Sequence, residues 1–292
     1  MWHRGHGCPA TEAFRSTEIS TRHQQRAEAV RAQGFAAGEA FAQGLFPDPV
    51  VFTDRREPDE EDLIRWHNKP ENGVLTGIVF WDGSSMYPDL PSVRRAGWSV
   101  VQVSPTGELQ AAANGPVPLA AGPNQTAPEA ENFACLMAAR LVVGPARCFA
   151  DCENTLKALR GGAAGTSVKP SSARCQIWSA TWAALDPQGF SFEKTKAHAT
   201  AADVHAGRTT WWELKANWHA DRLAKEGARL QGVTQIDAEV VGGMALIVQE
   251  QVAWLGRLHA TLRTEDAWDA QDLAGMGHDI LEVEDEEGGR TL

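Results

Sequence analysis

Leu75 to Trp81 is an unbroken run of apolar, β-branched and aromatic residues that ends in Phe80-Trp81-Asp82-Gly83-Ser84. A run of strand length without polar alternation reads as a central strand buried on both faces. The segments after it set the rest of the core. Gly97 to Val103 is a second strand, Ser104-Pro105-Thr106-Gly107 a turn, and Leu109 to Asn114 a third strand, making an antiparallel meander. Thr126-Ala127-Pro128-Glu129 fits a capping box, and Phe133, Met137 and Leu141 continue at helical spacing until Gly144-Pro145. Arg147 to Ala150 reads as a short strand, Glu153 to Arg160 as a helix, Gln176 to Leu185 as another, Phe190 to Lys194 as a fifth strand, and Asn217 to Leu230 as a last core helix. Helices packed on a mixed sheet are the economical solution for this order.

The flanks differ in character. Residues 9–44 read as an Ala-rich helix or helix pair. Residues 46–73 read as an acidic, Pro-containing linker with one helical turn near Leu63 to Trp66. Val240 to Leu262 reads as an apolar-rich helix, and the chain after Thr264 as an acidic, disordered tail. The expected division is therefore 1–73, 74–230 and 231–292.

The formal charge of −11 argues at first against a nucleic-acid partner. Its distribution reverses this: residues 74–230 hold 15 Lys+Arg and 13 Asp+Glu, whereas residues 231–292 hold 3 and 13. The five cysteines form no CxxC pair, which suits free thiols in a reducing, intracellular compartment, nucleus or cytoplasm. No apolar run reaches the roughly 18 residues of a membrane span, and the start lacks the apolar stretch of a secretory signal.

Four acids stand out by position. Asp82 ends the first strand and Asp151 the fourth; Glu131 lies early in the first core helix and Asp221 in the last. In open α/β sheets ligands gather beyond the carboxyl ends of strands, so acids at two neighbouring strand ends would lie side by side there. Packed carboxylates repel and raise one another's pKa unless cations fill the nest. All-oxygen ligands suit Mg²⁺ or Mn²⁺, and two such ions serve in-line phosphodiester displacement. A single acid at a strand end is usually only a solvated cap, so the case rests on the four together.

At these residues the chain resembles the type 1 ribonuclease H family. The matches run in order over roughly residues 74–230: Asp82-Gly83-Ser84, Thr126 to Glu131, the strand ending in Asp151, Lys196-Ala197-His198, and Asn217 to Ala224. The resemblance implies an α/β, ribonuclease H-like mixed five-stranded sheet flanked by helices, with helical N- and C-terminal extensions. It implies a metal-dependent endoribonuclease that hydrolyses the RNA strand of RNA–DNA hybrids, with two Mg²⁺ ions (Mn²⁺ as a substitute) held by Asp82, Glu131, Asp151 and Asp221. His198 would assist proton transfer or product release, and Ser84, Gln125 and Thr126 would contact the hybrid. The family also occurs beside reverse transcriptases in retroelement polyproteins, which makes a reverse transcriptase region an implied partner. The Gly161 to Ser172 segment, where some members carry a basic protrusion, holds only Lys169.

Two rival readings keep the fold and change the function: an inactive nucleic-acid- or protein-binding module, and a DNA-acting relative. Lys157, Arg160, Lys194, Lys196, Arg208 and Lys215 form a candidate phosphate footprint, competing with a plain solvated face. Trp178 and Trp182 read as core; Trp211-Trp212 could be either core or substrate contact.

Overall fold

The run from Leu75 forms β2 (Leu75–Met86), the longest strand among the described residues. The computed structural model describes residues 63–186 and 189–264. The helix or helix pair expected in residues 9–44, the linker expected before residue 63 and the tail after Thr264 lie outside the described residues. The chain divides into two units, one of residues 49–242 and one joining 1–48 to 243–292.

In the first unit, β2 pairs antiparallel with β3 (Arg95–Val103), which pairs antiparallel with β4 (Leu109–Pro116). The chain then forms helix α1 (Ala127–Leu141) and β5 (Val142–Ala150), which returns parallel to β2. Helices α2 (Glu153–Arg160) and α3 (Cys175–Ala184) lead to β6 (Phe190–Lys194), parallel to β5. Short α4 (Ala201–His205) and long α5 (Trp211–Arg229) follow. Helix α6 (Gln235–Thr264) comes last among the described elements.

The sheet is mixed and flanked by helices, as expected, but it has six strands rather than five. The extra strand is β1 (Arg65–His67), which pairs antiparallel with β4, giving the order β1-β4-β3-β2-β5-β6. A helical turn had been expected there. Three residues reading Arg-Trp-His carry no periodicity to identify them, and pairing with the exposed edge of β4 decides their state. Likewise, Gly144-Pro145 does not stop α1; it lies inside β5, whose first residues directly follow the helix.

β2 is buried on both faces from Val79 to Gly83, and period-two alternation divides its side chains between two layers. Val79 and Trp81 join the cluster that includes Trp98, Val100, Cys148, Phe133 and Leu136, under α1 and α3. Phe80 joins Val101, Ala112, Phe149 and Leu223, under α5. Phe80 and Phe149 stack at 4.7 Å, and Trp212 meets both edge-on at 5.9 and 5.5 Å. Trp178 is buried in the first cluster and Trp182 packs against it, in keeping with their reading as core.

Two features seat α5. A Cβ on Gly97 would lie 2.1 Å from the Ala228 nitrogen, so only glycine lets helix and strand backbones touch there. Ser99 Oγ donates to the Ala220 carbonyl at 2.7 Å and Asn114 Nδ2 to that of Leu223 at 2.8 Å. These buried bonds fix the rotation of α5, and with it the side that Asn217 and Asp221 present.

α1 begins at the capping box read from the sequence. Thr126 Oγ1 accepts from the Glu129 N–H, and Glu129 accepts from the Thr126 N–H at 3.0 Å. Burial alone would push the Glu129 carboxyl upward, but hydrogen bonds from Thr126 and Asn124 outweigh it and hold it below the usual range.

Candidate active site

Phe80 and Phe149 lie opposite each other in the parallel pairing of β2 with β5. Asp82 and Asp151 follow two residues later on each chain, so both acids fall on the α5 side at the same end of the sheet. Glu131 comes from α1 on the other side. It reaches them because Gly83 has no side chain: a Cβ there would lie 2.1 Å from the Glu131 nitrogen and 2.2 Å from the Ala130 carbonyl carbon. The result is a group of three carboxylates, Asp82, Glu131 and Asp151, with ligand oxygens all within 4.8 Å of one another.

The group sits in a cavity of about 600 Å³, also lined by Ser84, His198, Asn217, Trp218, Asp221 and Lys225. Asp221 thus faces the same space, but its Oδ2 accepts from Lys225 Nζ at 2.7 Å, one helical turn on. Asn217 Nδ2 donates to Asp151 Oδ2 at 3.4 Å.

Electrostatics mark the same spot. Burial, then the charges of Asp151 and Asp221, push the Asp82 carboxyl up to about 7, against hydrogen bonds from the Glu131 side chain and the Gly83 backbone. Burial and the neighbouring Asp82, Cys152 and Asp151 raise Glu131 well above the carboxylate range. Glu131 Oε2 is buried with no hydrogen-bond partner. An orphaned carboxylate oxygen in an all-oxygen nest is an open ligand position, and hard divalent cations fit that donor set.

The remaining expected residues divide. His198 is exposed at the cavity rim, in a left-handed backbone conformation (φ 47°). Ser84 lines the cavity. The Gln125 side chain is buried and fully engaged within the protein. Its Oε1 accepts from the Ala96 N–H and Gln231 Nε2, and its Nε2 donates to the carbonyls of Val117 and Gly122, at 2.8–2.9 Å. Those four bonds tie the loop before α1 to β3, to the residue after β4 and to the segment after α5. Thr126 spends its hydroxyl on the α1 cap.

In the expected phosphate footprint, Arg160 pairs with Glu153, Lys194 with Glu153, Lys196 and Arg208 with Asp203, and Lys215 with Glu108. Site features that sequence reading did not assign are Lys225, four residues after Asp221, and the clasp on the His198 turn. In that clasp the Asp203 carboxylate accepts from Thr200 N and Oγ1 and from Arg208 Nε at 2.8–2.9 Å. The Thr-x-x-Asp spacing at Thr200 was the available signal.

No family model matches the chain, and no curated protein does. Solved structures similar to it are RNase H domains. The PFV RNase H domain is 22% identical, with 53% of this chain and 94% of that one covered and a TM-score of 0.38. LC9-RNase H1, a type 1 RNase H with the type 2 active-site motif, is 15% identical over 54% and 74%, with a TM-score of 0.40. LC11-RNase H1, solved in complex with RNA/DNA hybrid, is 17% identical over 52% and 95%, with a TM-score of 0.35.

Proposed function

We propose that this chain is a metal-dependent endoribonuclease that hydrolyses the RNA strand of RNA–DNA hybrids, leaving 3′-hydroxyl and 5′-phosphate ends. The observation that carries the reading is the convergence of Asp82, Glu131 and Asp151 within 4.8 Å, with a buried, unpartnered oxygen on Glu131. Catalysis is assigned to the domain of residues 74–230, with β1 as an added edge strand. Asp82, Glu131, Asp151 and Asp221 would hold two Mg²⁺ ions, with Mn²⁺ as a substitute. Such ions, when bound, supply an activated water and stabilise the leaving oxygen.

The chain's own residues do the rest. Burial around Asp82 and Glu131 excludes bulk water, which strengthens every charge interaction there. Asn217 holds Asp151 in one orientation through its amide. Lys225 neutralises Asp221 until a cation competes for it. His198, exposed at the rim, would assist proton transfer to the departing 3′-oxygen or product release. Ser84 and Thr126 contact the hybrid backbone. A reverse transcriptase region in the same polyprotein is the proposed partner.

The test is cleavage of an end-labelled hybrid with Mg²⁺ and with EDTA, alongside Asp82→Asn and duplex DNA. Cleavage of the RNA strand only, only with metal and not by Asp82→Asn, is the expected result. Binding without cleavage would favour an inactive binding module, and preferential cutting of duplex DNA a DNA-acting relative.

A further inference from the structure

Two tryptophans of α5 are more than half exposed, Trp211 at 56% and Trp218 at 55%. They stand seven residues apart, which is two turns, so they share one line of the helix about 10 Å apart. At roughly 100° per residue, Lys215, Arg222, Lys225 and Arg229 fall within about 40° of the same line. No carboxylate of α5 lies inside that arc: Glu213 and Asp221 fall outside it on one side and Glu226 on the other. The opposite face carries Ala216, Ala220, Leu223, Ala224 and Gly227, all buried. Small residues thus seat the helix on the sheet, and its outer line alternates aromatic and basic.

The stripe is continuous with the acidic cavity, because Trp218 and Lys225 line both. The Arg222 guanidinium lies over the Trp218 ring, 5.4 Å from its centre, and the His219 ring meets Trp218 edge-on at 5.0 Å. The basic side chains are paired with acids: Lys215 with Glu108, Arg222 with Glu226 at 2.5 Å, and Lys225 with Asp221. Those pairs are solvent-exposed and worth little, so a phosphate can exchange for the carboxylate. Aromatic faces that stack bases beside basic groups that meet phosphates are the elements of a single-strand binding surface. A duplex hides its base faces within the stack, so two exposed indoles call for an unpaired strand.

From this we propose that the outer stripe of α5 is a platform for an unpaired nucleic-acid strand that continues out of the acidic cavity, its bases stacking on Trp218 and then Trp211. This rests on the reading of the cavity as a nucleic-acid site, and it adds a substrate preference: hybrids with a single-stranded extension over blunt hybrids. Stacking carries most of the affinity, so the preference persists at raised salt, where phosphate contacts weaken.

The experiment uses the full chain in EDTA, so that nothing is cut. Fluorescence anisotropy measures binding of a labelled blunt hybrid and of the same hybrid with a short unpaired extension on either end of either strand. The extended hybrid should bind roughly tenfold tighter, the range of one lost base stack. Trp218→Ala and Trp211→Ala should each remove most of that difference, and Trp218→Phe should restore it. Equal affinity for both hybrids, or tryptophan variants that keep the difference, overturns the proposal. So does concentration-dependent self-association that Trp211→Ala abolishes, since the stripe would then be an interface between copies. Blunt-hybrid cleavage without extension preference would sink the platform and spare the ribonuclease reading. Extension preference without cleavage under Mg²⁺ would do the reverse.

Discussion

Gly83 and Glu131 meet backbone to backbone, with no room for a single methyl group between β2 and the second turn of α1. Gly83→Ala therefore forces α1 away from the strand. We expect a loss of stability of about 1–3 kcal/mol, as for overpacking elsewhere. Because Glu131 moves with the helix, Mn²⁺ affinity should fall as well. Urea unfolding and Mn²⁺ titration measure the two effects; wild-type values for both would show that the contact does not position Glu131.

The raised Asp82 carboxyl makes stability depend on pH. Its pKa is about 7 in the fold against an ordinary value of 3.8, so the folded state binds the proton more tightly than the unfolded one. The metal-free protein should then be most stable below about pH 4 with respect to this group, and lose stability as pH rises toward 7. The upper limit is on the order of 4 kcal/mol. Mg²⁺ at a hundredfold excess over its dissociation constant should return roughly 2.7 kcal/mol at pH 8 and much less at pH 5. Urea midpoints at the two pH values, in EDTA and in Mg²⁺, check this. A Mg²⁺ effect equal at both would contradict it.

Glu131→Gln removes a carboxyl whose own ionisation is opposed by burial and by the neighbouring Asp82. The metal-free variant should melt at a higher temperature than wild type at pH 8, and its gain from Mg²⁺ should shrink or vanish. Hybrid cleavage should fall at least a hundredfold. A variant that melts lower than wild type in EDTA would show that the carboxylate is paired rather than frustrated there.

Asp203 holds the turn that carries His198, through Thr200, Arg208 and Lys196. Asp203→Ala should speed amide exchange across residues 196–208 and lower kcat, while hybrid affinity and overall melting stay near wild type. Asp203→Asn keeps two acceptor bonds at most and should fall between. Unchanged exchange in that segment would remove Asp203 from any positioning role.

The strands and helices that pack on both sides are the ones periodicity identifies: β2 by its apolar run, α1 by its capping box, α3 by Trp178 and Trp182. What escapes is set by partners distant in the chain. Arg65–His67 is a strand because β4 offers an edge, and Gln125 is a buried tie because Ala96, Val117 and Gln231 converge on it. The start of α5 lies at Trp211 rather than Asn217, although Thr210-Trp211-Trp212-Glu213 has the capping spacing. Asp151, just past β5, and Glu131, early in α1, lie where they were expected, whereas Asp82 lies inside β2, four residues before its end at Met86, because pairing with β3 carries the strand on through Gly83 and Ser84. The hold of Lys225 on Asp221 was not readable, since i,i+4 pairs of opposite charge are common on any exposed helix.

Because β2 sends Trp81 and Gly83 to one layer and Phe80 and Asp82 to the other, its length is constrained more tightly than its composition. Adding or deleting one residue between Val79 and Asp82 would swap the layers: the carboxylate would enter the packing under α1 and an indole the carboxylate cluster. Descendants of this chain can therefore exchange one apolar residue for another along β2, but a single-codon insertion or deletion there would be purged.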